Sequence, residues 1–235
     1  MLEVSNINTF YAKSHILHNV SIGVRQGEIV GLLGRNGVGK TTTLKSIMGV
    51  VAPREGSIRF EGQNITSLRP HQIARLGIGY VPDERRIFPT LSVKENLLMG
   101  MKPGKKRIEK EDWSVEKVCQ LFPGLKQRIS HKGGYLSGGE QQMLTIGRTL
   151  MGNPRLLLVD EPTEGLAPKI VEVVVGVMNE VHQAGAAILL VEQSIDVVME
   201  LSSVIFLMSK GEIVFKGSPE EFQERPDIRE KYLEV

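Results

Sequence analysis

The sequence is poor in cysteine and aromatic residues, and it contains no long apolar run. Cys119 is the only cysteine among 235 residues, which excludes an intrachain disulfide and a cysteine-rich zinc site. Because Cys119 lies within an apolar pattern, we expect a small buried side chain rather than a reactive thiol. No apolar stretch approaches the ~20 residues needed to cross a bilayer, so any role at a membrane requires a partner subunit.

The chain also lacks an excess of charge of either sign. It has 29 basic and 27 acidic side chains, a formal net charge of +2, with 41 % hydrophobic and 24 % charged residues. This balance is typical of a globular protein and does not indicate a nucleic-acid partner, and none is expected. The length predicts one large domain over residues 1–235, or one domain with a lobe attached.

Short apolar runs dominate the regular part of the sequence. Runs at 29–33, 78–81, 156–159 and 187–191 each end abruptly at glycine, proline or acidic residues, and they predict parallel strands covered on both faces. Antiparallel strands are predicted at 2–11, 16–24 and 57–60, with a hairpin formed by 204–208 and 212–215. Helices are predicted at 39–48 and 170–183. The pattern therefore predicts an α/β fold with a mostly parallel core sheet and an N-terminal antiparallel part.

The segment 91–153 has few strand signals and is predicted to be helical. Its charged stretch, 102–112, contains both signs and the breakers Pro103 and Gly104, which favours a solvated loop and a helix start. Trp113, which follows, is expected to anchor the helical part rather than to stack on a base.

A glycine-rich loop joins the run at 29–33 to the helix that follows. It matches the phosphate-loop pattern G-x-x-x-x-G-K-[ST] at every fixed position. Glycines allow N–H groups to point at phosphate oxygens, and the helix N-terminus adds partial positive charge. Lys40 is the expected counterion of the β- and γ-phosphates, and the Thr41 hydroxyl is an expected Mg²⁺ ligand. The expected nucleotide-binding residues of this loop are Gly34, Arg35, Asn36, Gly37, Val38, Gly39, Lys40, Thr41 and Thr42.

Two adjacent carboxylates follow the run at 156–159. Sites in parallel sheets form at the carboxyl ends of strands, so Asp160 and Glu161 are expected beside the phosphate loop. Asp160 is predicted to hold Mg²⁺ through its water shell. Glu161 is predicted to polarise the attacking water as a general base.

The segment Leu-Ser-Gly-Gly-Glu-Gln-Gln at 136–142 contains a capping box, formed by Ser137 and Glu140, and two glycines at a positive helix end. Preceded by a phosphate loop and followed by an Asp-Glu strand end, it resembles the signature sequence of ATP-binding-cassette (ABC) ATPases. The resemblance covers essentially the whole chain. It implies a P-loop NTPase cassette with a nucleotide-binding core, 1–90 and 154–235, and a helical subdomain, about 91–153.

The resemblance also implies a binding mode for ATP. Cassettes of this family bind two ATP molecules between two subunits arranged head to tail. Ser137, Gly138 and Gly139 are then expected to contact the γ-phosphate bound by the partner chain. Tyr11 resembles the aromatic residue that stacks on adenine.

Three positions depart from the common family pattern. Asp83 replaces a glutamine that ligates Mg²⁺, and Ala167 replaces the aspartate of a conserved loop in the family pattern. Gln193 stands at the switch histidine; it can hydrogen-bond a γ-phosphate but cannot carry a proton. These replacements leave Glu161 as the expected catalytic base, assisted by Gln193, with Asp83 as a candidate metal ligand.

The departures together resemble one subfamily, the second and shorter ATPase of branched-chain amino-acid importers. The segments concerned are 85–89, 165–168 and 191–193. The resemblance implies an ATPase that couples hydrolysis to import, with permease subunits and a second ABC ATPase as partners and a periplasmic or extracellular solute-binding protein acting indirectly. It places the chain at the cytoplasmic face of the plasma membrane, held there by the permease.

Other functions remain open at this point. The urea and short-chain amide importers share much of the same pattern. A soluble ABC ATPase acting on DNA or ribosomes is disfavoured because the chain has one phosphate loop, one signature and no sustained heptads. The signature argues against a small-molecule kinase, and Lys40, Asp160 and Glu161 argue against a regulator without turnover.

Overall fold

The computed structural model describes residues 1–102 and 112–233, which form two β-sheets flanked by helices. The predicted charged loop at 102–112 lies almost wholly outside the described residues. No helix in the described part of the chain is both long enough and apolar enough to span a membrane.

The elements alternate along the chain as expected for an α/β protein. The strands are β1 Leu2–Tyr11, β2 Ser14–Val24, β3 Ile29–Leu33, β4 Glu55–Phe60, β5 Gln63–Asn64, β6 Ile78–Val81, β7 Leu156–Asp160, β8 Ala187–Glu192, β9 Val204–Ser209 and β10 Glu212–Gly217. The helices are α1 Lys40–Ile47, α2 Pro70–Arg75, α3 Val93–Leu98, α4 Val115–Leu121, α5 Pro123–Gln127, α6 Gly138–Leu150, α7 Pro168–Gln183, α8 Ile195–Leu201, α9 Pro219–Gln223 and α10 Pro226–Tyr232. A single 3₁₀ turn, Gly133–Tyr135, precedes α6.

The larger sheet has six strands in the order β10-β9-β3-β8-β7-β6. All neighbouring pairs are parallel except β10 with β9, which form the predicted hairpin. The sheet is therefore mostly parallel, as the sequence predicts. This order places the ends of β3, β7 and β8 side by side at one edge, although they are far apart in the chain.

Both faces of the six-stranded sheet are covered. Along β8, Ile188 and Leu190 pack into a cluster with α6 and α7, whereas Leu189 and Val191 pack into a second cluster against α1 and the antiparallel strands. Successive side chains of a strand point to opposite faces, so burial of both faces requires an unbroken apolar run. Each of these four side chains is fully buried and contributes about 2 kcal/mol.

The smaller sheet is antiparallel, with the order β2-β1-β4-β5. Tyr11 pairs with Ser14, so β2 begins two residues before the predicted start at position 16. The hairpin turn contains Ala12 in the left-handed region, with φ 52°. This turn places Tyr11 at the end of the sheet, beside the phosphate loop.

The remaining differences from the prediction concern short elements. The strand β5 and the helices α2, α8, α9 and α10 were not predicted, because elements of two to seven residues carry too little periodicity. The helix α7 begins at Pro168 rather than at 170, since proline suits the first helical position.

Between 91 and 153 the described structure is helical, as predicted. Ser137 and Glu140 form the predicted capping box at the start of α6. Trp113 packs against the cluster that includes α3, α4 and α6. Cys119 is buried on α4, as predicted, and burial raises the pKa of its thiol.

Candidate nucleotide site

The glycine-rich loop connects the end of β3 to the start of α1. Gly39 is the N-cap residue of α1 and lies in the left-handed region with φ 113°. This backbone conformation is strained for any residue with a side chain, and a Cβ atom here would also lie 2.8 Å from Leu17 Cδ2, so glycine is favoured. The helix therefore begins at Lys40, one residue later than predicted, and its first N–H groups face the loop.

The ammonium group of Lys40 is almost fully buried and fully paired. Its Nζ atom donates to the backbone oxygens of Gly34, at 2.8 Å, and Arg35, at 2.9 Å. It also lies 2.9 Å from Glu161 Oε1. These three acceptors match the three N–H donors of an ammonium, so a phosphate oxygen that binds Lys40 must displace one of them.

Asp160 ends β7 and is completely buried. The Thr41 hydroxyl donates to its Oδ1 and the Tyr80 hydroxyl to its Oδ2, each at 3.0 Å. Burial raises the pKa of Asp160 to about 6, against the two hydrogen bonds, which lower it.

The chemistry of these donors suits Mg²⁺. A carboxylate next to a hydroxyl, with room for phosphate oxygens and water, provides the hard oxygen ligands that Mg²⁺ prefers. Within residues 1–102 and 112–233, no group of three or more histidine, cysteine or acidic side chains forms a closed metal cage. The residues present therefore fit a metal that is shared with a phosphate ligand.

Glu161 leaves the strand in a strained conformation, with φ 43°. Gln193 Nε2 donates to its Oε2 at 2.7 Å, so Gln193 touches the predicted base. Burial raises the pKa of Glu161, but the hydrogen bond and charge of Lys40 outweigh it, and the pKa lies below its ordinary value. The neighbouring Glu164 has its pKa raised, first by hydrogen bonding to Glu161 and then by burial.

A cavity of about 350 Å³ lies between the phosphate loop, the end of β1 and the loop after β7. It brings together Tyr11, which is 43 % exposed, Asp83 and Glu161, as the sequence predicts. The phosphate-loop residues that line it are Asn36, Gly37, Gly39, Lys40, Thr41 and Thr42.

Three of the predicted phosphate-loop residues have other surroundings. Gly34 and Arg35 line an adjacent cleft together with Gln193. Val38 packs against the core between the two sheets, and its backbone oxygen accepts a hydrogen bond from Gly211 N at 2.8 Å. These three residues therefore lie outside the cavity that the other phosphate-loop residues line.

The signature residues lie outside this cavity in the described structure. Ser137 caps α6, and its backbone N–H donates to Glu140 Oε2 at 2.8 Å. The guanidinium of Arg85 lies against this helix N-terminus, since a Cβ atom on Gly138 would lie 2.6 Å from its Nη1. Arg85 also donates to the backbone oxygen of Glu164 at 2.8 Å, which joins the loop after β6 to the loop after β7.

Sequence reasoning missed two polar residues that support the site. Tyr80 holds Asp160, as described above. Glu192 is buried at the end of β8 and accepts hydrogen bonds from Thr163 N, at 3.1 Å, and Thr163 Oγ1, at 2.7 Å. Burial raises the pKa of Glu192. The signal available for Glu192 was an acidic residue that directly continues an apolar strand.

A second, larger concavity of about 570 Å³ lies on the other side of β6. Exposed apolar side chains at its rim include Phe88, 44 % exposed, and Met99, 60 % exposed. Its basic lining residues are His71, Arg75, Lys102 and Arg148. We call this concavity the apolar groove. It is separate from the cavity that contains Lys40.

Comparison with known proteins agrees with this geometry. The sequence profile described as "ABC transporter" matches residues 17–164. The chain is 40 % identical to the high-affinity branched-chain amino acid transport ATP-binding protein BraG of Pseudomonas aeruginosa, over 99 % of both chains. It is also 32 % identical to the lipopolysaccharide export system ATP-binding protein LptB of Haemophilus influenzae, over 99 % of this chain and 97 % of that protein.

The fold has a solved counterpart. A nucleotide-free ATP-binding cassette from an ABC transporter superposes with a TM-score of 0.83 at 30 % identity, over 100 % of this chain and 97 % of that one. The mixed sheets, the phosphate loop and the signature helix of this chain are thus those of an ABC cassette. The chain belongs to the ABC transporter family as an ATP-binding subunit, and it binds and hydrolyses ATP.

Proposed function

We propose that this chain is the energy-coupling ATPase of an importer for branched-chain or other hydrophobic amino acids. The observation that carries the proposal is the 40 % identity to BraG over essentially the full length of both chains. The lower identity to LptB, 32 %, makes lipopolysaccharide export the second candidate. Import of urea or short-chain amides is a further alternative for the same cassette.

In this proposal the cavity of about 350 Å³ binds ATP. Tyr11 stacks on adenine, and Lys40 and the N–H groups of the phosphate loop bind the β- and γ-phosphates. Thr41 and Asp160, with Asp83 beside them, would hold Mg²⁺, which would supply positive charge next to the phosphate oxygens.

The pairing of Lys40 with Glu161 suggests how ATP prepares the base. When a phosphate takes a hydrogen bond from Lys40, Glu161 Oε1 gives up the partner that lies 2.9 Å away. Loss of this partner raises the proton affinity of Glu161, as a general base requires. Gln193, which already donates to Oε2, keeps the carboxylate oriented toward the attacking water.

The position of the signature residues favours action in trans. Ser137, Gly138 and Gly139 lie at the N-terminus of α6, outside the cavity of their own chain. We propose that they bind the γ-phosphate held by a second cassette in a head-to-tail dimer. The second cassette is a related ATPase or another copy of this chain, and the helices α3 to α6 belong to the helical subdomain.

The apolar groove is the proposed docking site of a permease. Phe88 and Met99 offer apolar contact, and no acidic residue lines the groove in the described part of the chain. Nη1 of Arg148 is buried there without a hydrogen-bond partner, and burial lowers the pKa of this arginine. A cytoplasmic permease helix that carries a carboxylate or free carbonyl would satisfy Arg148. Docking at this groove would hold the chain at the cytoplasmic face of the plasma membrane.

Purification from native membranes tests the proposal. The tagged chain is expected to bring two permease subunits and a second ABC ATPase, and the complex is expected to support uptake of leucine, isoleucine or valine. Phe88→Ala should lower recovery of the permease, whereas Val50→Ala, at an exposed position outside the groove, should not. Recovery of lipopolysaccharide-export proteins, or uptake of urea alone, would contradict the assignment.

A further inference from the structure

Tyr80 connects the apolar groove with the nucleotide site. Tyr80 lines the groove, and its hydroxyl donates a hydrogen bond to Asp160 Oδ2 at 3.0 Å. Tyr80 is half-buried and packs against the buried cluster that includes Ile78 and Leu158. Nothing in the sequence motifs indicates this link, because Tyr80 lies outside the phosphate loop, the signature and the Asp-Glu strand end.

The sheet holds Tyr80 in this position. In the parallel pairing of β6 with β7, Tyr80 is opposite Leu158, so its long side chain reaches two residues further along β7 to Asp160. The backbone oxygen of Tyr80 accepts a hydrogen bond from Thr149 Oγ1 of α6, at 3.3 Å. The backbone of Tyr80 is thereby held by β7 and α6, and its hydroxyl is held by Asp160.

The two oxygens of Asp160 have different partners. Thr41, which donates to Oδ1, belongs to the helix α1 that follows the phosphate loop. Tyr80, which donates to Oδ2, belongs to a strand that borders the groove. Because Asp160 is completely buried, its orientation depends on these donors rather than on water.

We propose that Tyr80 is a positioning residue that transmits occupancy of the apolar groove to Asp160. The inference rests on the proposed function, in which a permease helix fills the groove. A helix that packs against the Tyr80 ring sets the position of the hydroxyl, and the hydroxyl sets the rotation of the carboxylate that holds Mg²⁺. Permease docking would in this way act on the affinity for Mg²⁺-nucleotide without touching the nucleotide.

In the isolated protein, Tyr80→Phe tests whether the Tyr80 hydroxyl affects Mg²⁺ binding through Asp160. The variant keeps the ring and removes only the hydroxyl. Calorimetry with ADP in EDTA should give the wild-type affinity, whereas the gain in affinity caused by Mg²⁺ should fall about tenfold, the size expected for one hydrogen bond to a charged group. Tyr232→Phe, which removes a hydroxyl on α10, is the matched control and should behave as wild type.

Whether occupancy of the apolar groove is transmitted to Asp160 is tested in the assembled complex. For Tyr80→Phe, recovery of the permease should be normal. The ratio of permease-stimulated to basal ATPase activity should fall at least about threefold, because the hydrogen bond from Tyr80 to Asp160 is lost. If the melting temperature shows that Tyr80→Phe does not fold, Tyr80→Met repeats both measurements with an apolar side chain of similar reach.

Two results would overturn the inference alone. They are a Mg²⁺-dependent gain in affinity equal to that of the wild type, and an unchanged stimulation ratio in a normally assembled complex. Failure of the wild-type chain to bind a permease would instead overturn the proposed function together with its link to Tyr80.

Discussion

The substitution Asp160→Asn measures how much an ionised carboxylate at this position lowers the free energy of unfolding of the nucleotide-free protein. Asp160 is completely buried at the end of β7, and two hydroxyl groups donate to it. Burial raises its pKa from 3.8 to about 6 in spite of these hydrogen bonds. Asparagine has the same shape and accepts a hydrogen bond, but it carries no charge at any pH.

The sign and size of the effect follow from this pKa. The folded protein binds the Asp160 proton more tightly than the unfolded chain, so the group's contribution to stability is present below about pH 4 and is lost as the pH rises through about 6. The difference of about two pKa units corresponds to about 3 kcal/mol. Relative to the wild type, Asp160→Asn should therefore gain about 3 kcal/mol in the free energy of unfolding between pH 4 and pH 7.

Urea denaturation in EDTA, at intervals between pH 4 and pH 7, gives this difference directly, since groups common to both proteins cancel. The adjacent Glu161→Gln is a control of opposite sign. The folded pKa of Glu161 is lowered, so its carboxylate stabilises the fold above its unfolded pKa, and this stabilisation is lost as the pH falls. A difference between Asp160→Asn and the wild type that does not change from pH 4 to pH 7 would refute the reasoning.

Two predictions concern the nucleotide itself. Lys40→Ala removes the cation that Gly34, Arg35 and Glu161 hold in place, and it should weaken ATP binding about 100-fold, because two or more charge-assisted contacts are lost; near-normal affinity by calorimetry in a folded variant would contradict this. Glu161→Gln should still bind ATP but hydrolyse it about 100- to 10,000-fold more slowly, as expected for loss of a general base. An ATP-bridged dimer should then accumulate in gel filtration, and unchanged hydrolysis would make Asp83 the next candidate base.

The sequence was sufficient to predict the strands of the core sheet and the phosphate loop. Strands such as β7 and β8 are buried on both faces, so their apolar runs and the polar residues that end them are visible in the chain. The loop before Lys40 is recognisable because phosphate binding demands glycine at backbone positions such as Gly39, where a side chain would collide with Leu17. Chemistry and sterics act locally here, so a linear pattern retains them.

The roles of Tyr80 and Glu192 could not be predicted from the sequence, because the order of the strands in the sheet determines which residues they contact. Tyr80 reaches Asp160 only because β6 and β7 are neighbours, although 80 positions separate the two residues. Glu192 meets Thr163 because the loops after β7 and β8 leave the same edge of the sheet. A tyrosine and a glutamate in these runs have no local pattern that distinguishes a surface residue from a buried hydrogen-bonding partner.

The backbone explains why the two adjacent carboxylates suit different tasks. Asp160 is the last residue of β7 and lies inside the sheet, where burial raises its pKa. At Glu161 the chain turns through a left-handed conformation, with φ 43°, and the carboxylate reaches Lys40, which lowers its pKa. Glu161 lines the cavity, whereas Asp160 lies against the Thr41 hydroxyl, so the turn, rather than either pKa shift, favours Asp160 as the metal carboxylate and Glu161 as the base. If phosphate takes the place of Glu161 at Lys40, as in the proposed function, the proton affinity of Glu161 rises with the arrival of ATP.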